Sequence, residues 1–203
     1  MIAIVDYGMG NVRSIKNALN FVGSKAIVTA EEKVLRDADA LILPGVGAFP
    51  DAMENLHQKK LVPLLGDLVL SQKKPVLGIC LGMQLLARMG FEHKKTGGLS
   101  WIDSEVILLD QDAQNKVPNV GWCPVKIKKS SNLFSSLADE SDFYFVHSFQ
   151  MICKREEDIL AEANHTRPFV AAVESNNIVG VQFHPEKSQD NGLTFFENWI
   201  RSI

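Results

Sequence analysis

The ten residues Pro75-Val76-Leu77-Gly78-Ile79-Cys80-Leu81-Gly82-Met83-Gln84 constrain this chain more than any other stretch. Val76, Leu77 and Ile79 form a short apolar run with β-branched residues, the pattern of a strand buried on both faces. Met83, Leu85, Leu86 and Met89 then recur at helical spacing. Cys80 therefore falls where a strand turns into a helix. Gly78 and Gly82 flank it, admitting a tight bend and keeping bulk off the sulfur. A strand-turn-helix elbow of this kind displays a nucleophile at the carboxyl edge of an α/β sheet. The helix N-terminus behind it offers unpaired N–H groups and a partial positive charge, which favour a thiolate. Most lone cysteines are small core hydrophobes, so a nucleophilic role requires partners elsewhere in the chain.

The flanking sequence places the elbow in an α/β fold. Ile2–Val5 is an apolar strand, and Asp6–Asn11 is the loop after it. Val12, Ile15, Leu19 and Val22 share one helical face, which Gly23 ends. Ala26–Val28 and Ala40–Leu43 are further strands. The second runs into Pro44-Gly45-Val46-Gly47-Ala48-Phe49, a loop flexible enough to aim an N–H group at an anion. Phe49–His57 and Lys59–Ser71 are helical. This alternation predicts a central, mostly parallel sheet with helices on both faces and ligands at the carboxyl ends of its strands. After Gly90 the pattern changes. Ser104–Leu109, Val125–Ile127, Phe143–Val146, Phe169–Glu174 and Ile178–Phe183 read as strands, with a tight turn at Asn176-Asn177. The C-terminal half thus adds antiparallel strands before a closing helix over Leu193–Ile200. No linker or repeat interrupts the chain, so residues 1–203 are expected to form one domain.

Composition narrows the function. A net charge of −3 provides no basic field for nucleic acid or an anionic membrane. No apolar stretch approaches a membrane span, and Met1–Val5 lacks the length and basic flank of a signal peptide. Cys80, Cys123 and Cys153 are scattered and odd in number. That suits free thiols in a reducing cytoplasm. The loop from Gly8 has Arg13 where a dinucleotide fingerprint needs glycine, so no nucleotide cofactor is expected.

A cysteine nucleophile needs a base, and the base needs an orienting group. The last strand ends in Phe183-His184-Pro185-Glu186. In extended chain, residues i and i+2 point the same way, so Glu186 is placed to hold the His184 ring. Zinc is the competing chemistry, because Cys80, His184 and Glu186 are all metal-ligand types. A zinc deaminase pairs its His-x-Glu with Pro-Cys-x-x-Cys. Met83 breaks that pattern, and His57, His93, His147 and His165 show no ligand spacing, so no metal is expected.

With these residues assembled, the chain resembles the class I glutamine amidotransferases over essentially its whole length. The resemblance rests on Pro44–Gly47, Gly78–Gln84, Tyr144-Phe145-Val146-His147-Ser148-Phe149 and His184-Pro185-Glu186-Lys187-Ser188. The Asp6–Asn11 opening and the Gly121-Trp122 pair narrow it to the glutaminase subunits of imidazole glycerol phosphate synthases. The resemblance implies hydrolysis of L-glutamine to L-glutamate and ammonia through a thioester on Cys80, with His184 as base and Glu186 as orienter. It implies oxyanion donors from the backbone at Leu81 and the Val46–Gly47 region. Gln84, Ser148 and Phe149 would hold the substrate. Ammonia would pass to a (β/α)8-barrel synthase subunit, bound as a heterodimer, that makes imidazole glycerol phosphate and aminoimidazole carboxamide ribotide in histidine biosynthesis. Trp122, Tyr144 and Lys187 are the candidate contact face, with a core position as the alternative for Trp122. Asn119 and Cys123 stand where the family usually has His and Asn. They keep open a related glutaminase of surface-sugar biosynthesis. Another elbow-cysteine amidase or peptidase is the remaining alternative.

Overall fold

The computed structural model describes all 203 residues. The strand–helix alternation of the first half is present: β1 (Ile2–Val5), α1 (Val12–Phe21), β2 (Ala26–Thr29), α2 (Glu32–Asp37), β3 (Ala40–Leu43), α3 (Phe49–Gln58), α4 (Leu61–Gly66) and β4 (Val76–Ile79). β1, β3 and β4 are apolar and fully buried at every position, as strands covered on both faces must be. A short α5 (Leu81–Leu85) follows the elbow. Eight strands come next: β5 (Ala87–Gly90), β6 (Thr96–Gly97), β7 (Ile102–Leu108), β8 (Asn119–Ile127), β9 (Ser141–His147), β10 (Phe149–Cys153), β11 (Ile159–Asn164) and β12 (Pro168–Ser175). The chain ends with β13 (Ile178–Val181) and α6 (Gln189–Arg201).

Nine strands form one sheet in the order β2-β1-β3-β4-β13-β12-β11-β8-β9. The pairs from β2 through β13 are parallel, and the pairs from β13 to β9 are antiparallel. The alternation of side chains across each strand divides the core in two. Ala3, Val5, Leu41 and Leu43 pack with α3 and α4 on one face. Ile2, Ile4, Ala40 and Ile42 pack with α1 and α6 on the other, where Phe195, Phe196 and Trp199 fill the layer. β10, β7, β5 and β6 make a smaller second sheet.

The elbow helix is shorter than its apolar spacing predicts. Met89 lies on β5, not on a helix. The carbonyls that another helical turn would use are taken from outside. Leu85 O accepts from the Leu99 N–H, Leu86 O from Trp101 and Ile102, and Ala87 O from Ser100. This later segment draws the second turn out of the helix, and it becomes β5 of the smaller sheet. α2, β10 and β11 are elements that the sequence pattern did not reveal. The Asn176-Asn177 turn is where expected, with Asn176 at φ 55° between the paired residues Ser175 and Ile178.

Candidate active site

β13 inserts between β4 and β12, pairing Val181 with Ile79. That pairing carries the last strand's end to the elbow: the Cys80 N–H donates to Val181 O at 2.8 Å. Cys80 adopts φ 54°, ψ −110°, a strained conformation for a residue with a Cβ. Gly82 is required for the turn, because a Cβ there would overlap the Leu43 carbonyl oxygen. The sulfur is nearly buried, with Val146 O at 3.9 Å and the Gln182 side-chain amide nitrogen at 3.6 Å.

His184 follows β13, its backbone held by an N–H bond to Tyr144 O at 2.9 Å. Its Nδ1 lies 2.8 Å from Glu186 Oε1, and the two side chains are 2% and 0% exposed. The pairing differs in one respect from a simple extended chain. Pro185–Lys187 forms a short 3-10 turn, so the carboxylate reaches the ring by curling back under it. Ser188 fixes that turn by donating its hydroxyl to His184 O at 2.7 Å. Burial pushes the His184 imidazolium down, but the Cys80 sulfur and the Glu186 carboxylate together outweigh it and raise the pKa to about 10. His184 Nε2 meets no acceptor in hydrogen-bond geometry. The Cys80 sulfur still favours the charged ring, and Glu186 is the partner held at hydrogen-bond distance.

Cys80 and His184 open into a cleft of 310 Å³. Val46, Gly47, Leu81, Gln84, Ser148 and Phe149 all line it, so every candidate catalytic, oxyanion and substrate residue except the buried Glu186 faces one space. Leu81 is the first residue of α5, where a backbone N–H has no intrahelical acceptor. Gly47 has φ 107° and packs so closely on Met9 that a Cβ would meet its methyl at 2.7 Å. No three His, Cys, Asp or Glu side chains are grouped to hold a metal ion.

The cleft and the interior behind it also contain residues that motif spacing did not indicate. Glu92 lines it and accepts the Phe49 N–H at 2.7 Å. His147 is buried, with Nδ1 2.8 Å from Phe149 O and Nε2 3.2 Å from the Asn119 amide nitrogen. Burial lowers its pKa to about 4 against the opposing pull of the Phe149 carbonyl. It is therefore neutral near pH 7, with Nδ1–H donating and Nε2 accepting. Gln182 is fully buried beside the sulfur. Its one sequence signal is a lone amide in the apolar run Ile178–Phe183.

Trp122, Tyr144 and Lys187 lie together outside the cleft. Trp122 and Tyr144 pair across β8 and β9 with their rings edge to face, and Lys187 Nζ sits 5.7 Å from the Tyr144 ring centroid. Trp122 is 46% exposed, so it is not a core aromatic.

The family model for glutamine amidotransferase class-I matches residues 3–202. The chain belongs to the class-I glutamine amidotransferases. Among its relatives, imidazole glycerol phosphate synthase subunit HisH 2 of Vibrio vulnificus is 50% identical over 204 residues, covering 98% of this chain and 95% of that one. HisH 1 of Campylobacter jejuni is 44% identical over 201 residues, covering 99% and 100%. Solved structures share the fold at low identity. A putative GMP synthase subunit of Thermoplasma acidophilum has a TM-score of 0.73 at 22% identity, covering 98% of this chain and 92% of that one. PurLQS of Thermotoga maritima has a TM-score of 0.75 at 17%, covering 99% and 97%.

Proposed function

We propose that this class-I amidotransferase is the glutaminase subunit of an imidazole glycerol phosphate synthase, acting through Cys80, His184 and Glu186. The observation that carries the residue assignment is the convergence of an elbow cysteine and a carboxylate-held histidine on one cleft. The Cys80 thiolate attacks the side-chain amide carbon of glutamine. His184, held by Glu186, delivers a proton to the leaving nitrogen as the C–N bond breaks and ammonia departs. Water then gives a proton to His184 and attacks the thioester. The C–S bond breaks, glutamate leaves and the thiolate is restored. Backbone N–H groups of Leu81 and of Val46 or Gly47 stabilise the two oxyanions, each donor lowering the barrier by about 2.7–4 kcal/mol.

Glu92 and Gln84 suit the α-ammonium end of the substrate. Gln84 Nε2 contacts Phe149 O at 3.1 Å and Gln182 Oε1 at 3.0 Å, which leaves its Oε1 as an acceptor for the cleft. The backbone at Ser148 and Phe149 receives the carboxylate. Residues 1–203 act as one domain in the cytoplasm, in a heterodimer with a (β/α)8-barrel cyclase that takes the ammonia. Trp122, Tyr144 and Lys187 are its contact face, since aromatic residues serve as interface anchors.

Glutamate release from glutamine, measured with and without the cyclase subunit and its ligand, tests this. Turnover is expected to rise in the complex and to vanish in Cys80→Ala. Turnover that survives Cys80→Ala would overturn the mechanism. Hydrolysis of unrelated amides in preference to glutamine would overturn the substrate assignment.

A further inference from the structure

We propose that Gln182 is a further catalytic residue, whose side-chain amide donates a hydrogen bond to the Cys80 sulfur and steadies the attacking thiolate. The inference rests on Cys80 being the nucleophile and adds a group that the triad does not contain. Gln182 is the first residue beyond β13, and its neighbour Val181 receives the Cys80 backbone N–H. The parallel pairing of β4 and β13 thus places the Gln182 side chain next to the sulfur, at 3.6 Å from Nε2.

The direction of that contact is fixed by a backbone carbonyl. The two ends of a glutamine amide are nearly equal in size and shape, so its hydrogen-bonding neighbours decide which end is nitrogen. Phe149 O can only accept. It meets His147 Nδ1 at 2.8 Å and the Gln84 amide at 3.1 Å, so Gln84 turns its nitrogen there. The same nitrogen lies 3.0 Å from Gln182, which must therefore present its oxygen. The Gln182 nitrogen is left pointing at Cys80. Turning Gln182 over would set nitrogen against nitrogen and oxygen against sulfur. Gln84, His147 and Phe149 thus hold Gln182 as a donor without touching the sulfur themselves.

A donor here has electrostatic work to do. On its other side the sulfur faces Val146 O at 3.9 Å, an acceptor that suits the thiol and repels the thiolate. An N–H aimed at sulfur favours the charged form instead, and does so more strongly in a buried site than in water. The amide stays neutral at all working pH values, so it supplies this stabilisation without competing for the proton that His184 handles.

The test is alkylation of Cys80 by iodoacetamide across a pH series. It is read peptide by peptide in the full chain, for wild type, Gln182→Met and Gln182→Leu. Both substitutions remove the donor and keep the site filled. At pH 7 alkylation of Cys80 is expected to fall about 10-fold. Its pH midpoint should move to the alkaline side, while Cys123 in the same molecules reacts at its wild-type rate. A variant that melts cooperatively and keeps the wild-type Cys80 profile would overturn the proposal. That result, even with a lowered Tm, would leave Gln182 a packing residue. Iodoacetamide needs no glutamine binding, so this failure is distinct from failure of the glutaminase assignment, which wild-type glutamate release reports.

Discussion

The Tyr7 hydroxyl donates to the Pro44 carbonyl at 2.6 Å, a buried bond that bridges 37 residues. Tyr7 is fully buried, and burial followed by the nearby Cys80 charge pushes its pKa up, so it remains a protonated donor. It thereby anchors the start of the Pro44–Gly47 loop, the proposed source of the second oxyanion donor. Tyr7→Phe leaves the Pro44 oxygen buried without that partner. The expected cost is about 1–3 kcal/mol of stability, read as a lower urea midpoint. Glutaminase kcat should fall while KM changes little, because the loop is freed and the substrate contacts are not. A KM effect with unchanged kcat would refute this role.

Strain at Cys80 gives a second prediction. Cys80 sits at φ 54° with a Cβ that a glycine would lack. Such positions cost about 1–3 kcal/mol in a non-glycine residue, partly offset by the larger unfolded-state entropy of glycine. Both Cys80→Ala and Cys80→Gly should abolish glutamate release. Of the two inactive proteins, the glycine variant should be the more stable, by about 1 kcal/mol in denaturant unfolding. Equal stability would show that the strain at Cys80 does not exceed the entropy that glycine adds to the unfolded chain.

Glu92 supplies a third. Its side chain is only 14% exposed and both lines the cleft and caps the start of α3 through Phe49. Glu92→Gln keeps an oxygen for the Phe49 N–H and removes the charge. If the carboxylate receives the substrate's α-ammonium, KM for glutamine should rise about 10-fold with kcat nearly preserved, as expected on losing a charged hydrogen bond made in ground and transition states alike. Steady-state kinetics in the cyclase complex would check it, and a selective fall in kcat would contradict it.

These residues also mark where the sequence stops being informative. Cys80, His184 and Glu186 are legible because their chemistry depends on local spacing: an elbow between glycines, and a carboxylate two residues past a histidine. β1, β3 and β4 are legible because four consecutive apolar residues leave a strand few alternatives. Tyr7, Glu92 and Gln182 acquire their roles only when separate segments meet. The Gln182–Cys80 contact exists because β13, far along the chain, is inserted beside β4. The shortness of α5 has the same origin, since the competing N–H groups come from Leu99–Ile102. Trp122 illustrates the converse. Its pattern fits core and surface equally, and only the strand pairing of β8 with β9 turns it outward beside Tyr144.

The pairing of His184 with Cys80 and Glu186 makes stability depend on pH in a definite direction. The ordinary histidine value is 6.5, and in the folded protein it is raised to about 10. Below 6.5 both folded and unfolded chains hold the proton, and the stabilisation is fully present. Between 6.5 and 10 the unfolded chain has released it while the folded chain still binds it. The unfolded state then carries fewer protons, so unfolding free energy falls as pH rises, and the contribution is gone once pH passes the folded value. Urea midpoints of the wild type should therefore decline from about pH 6 to about pH 10. Glu186→Gln removes the carboxylate that holds the imidazolium, so the folded value drops toward 6.5 and the decline should be shallower and end sooner. Comparing the two proteins at each pH cancels the titrating groups remote from His184, and Cys80, which also favours the imidazolium, is present in both. Parallel curves would show that Glu186 orients the ring without holding its charge.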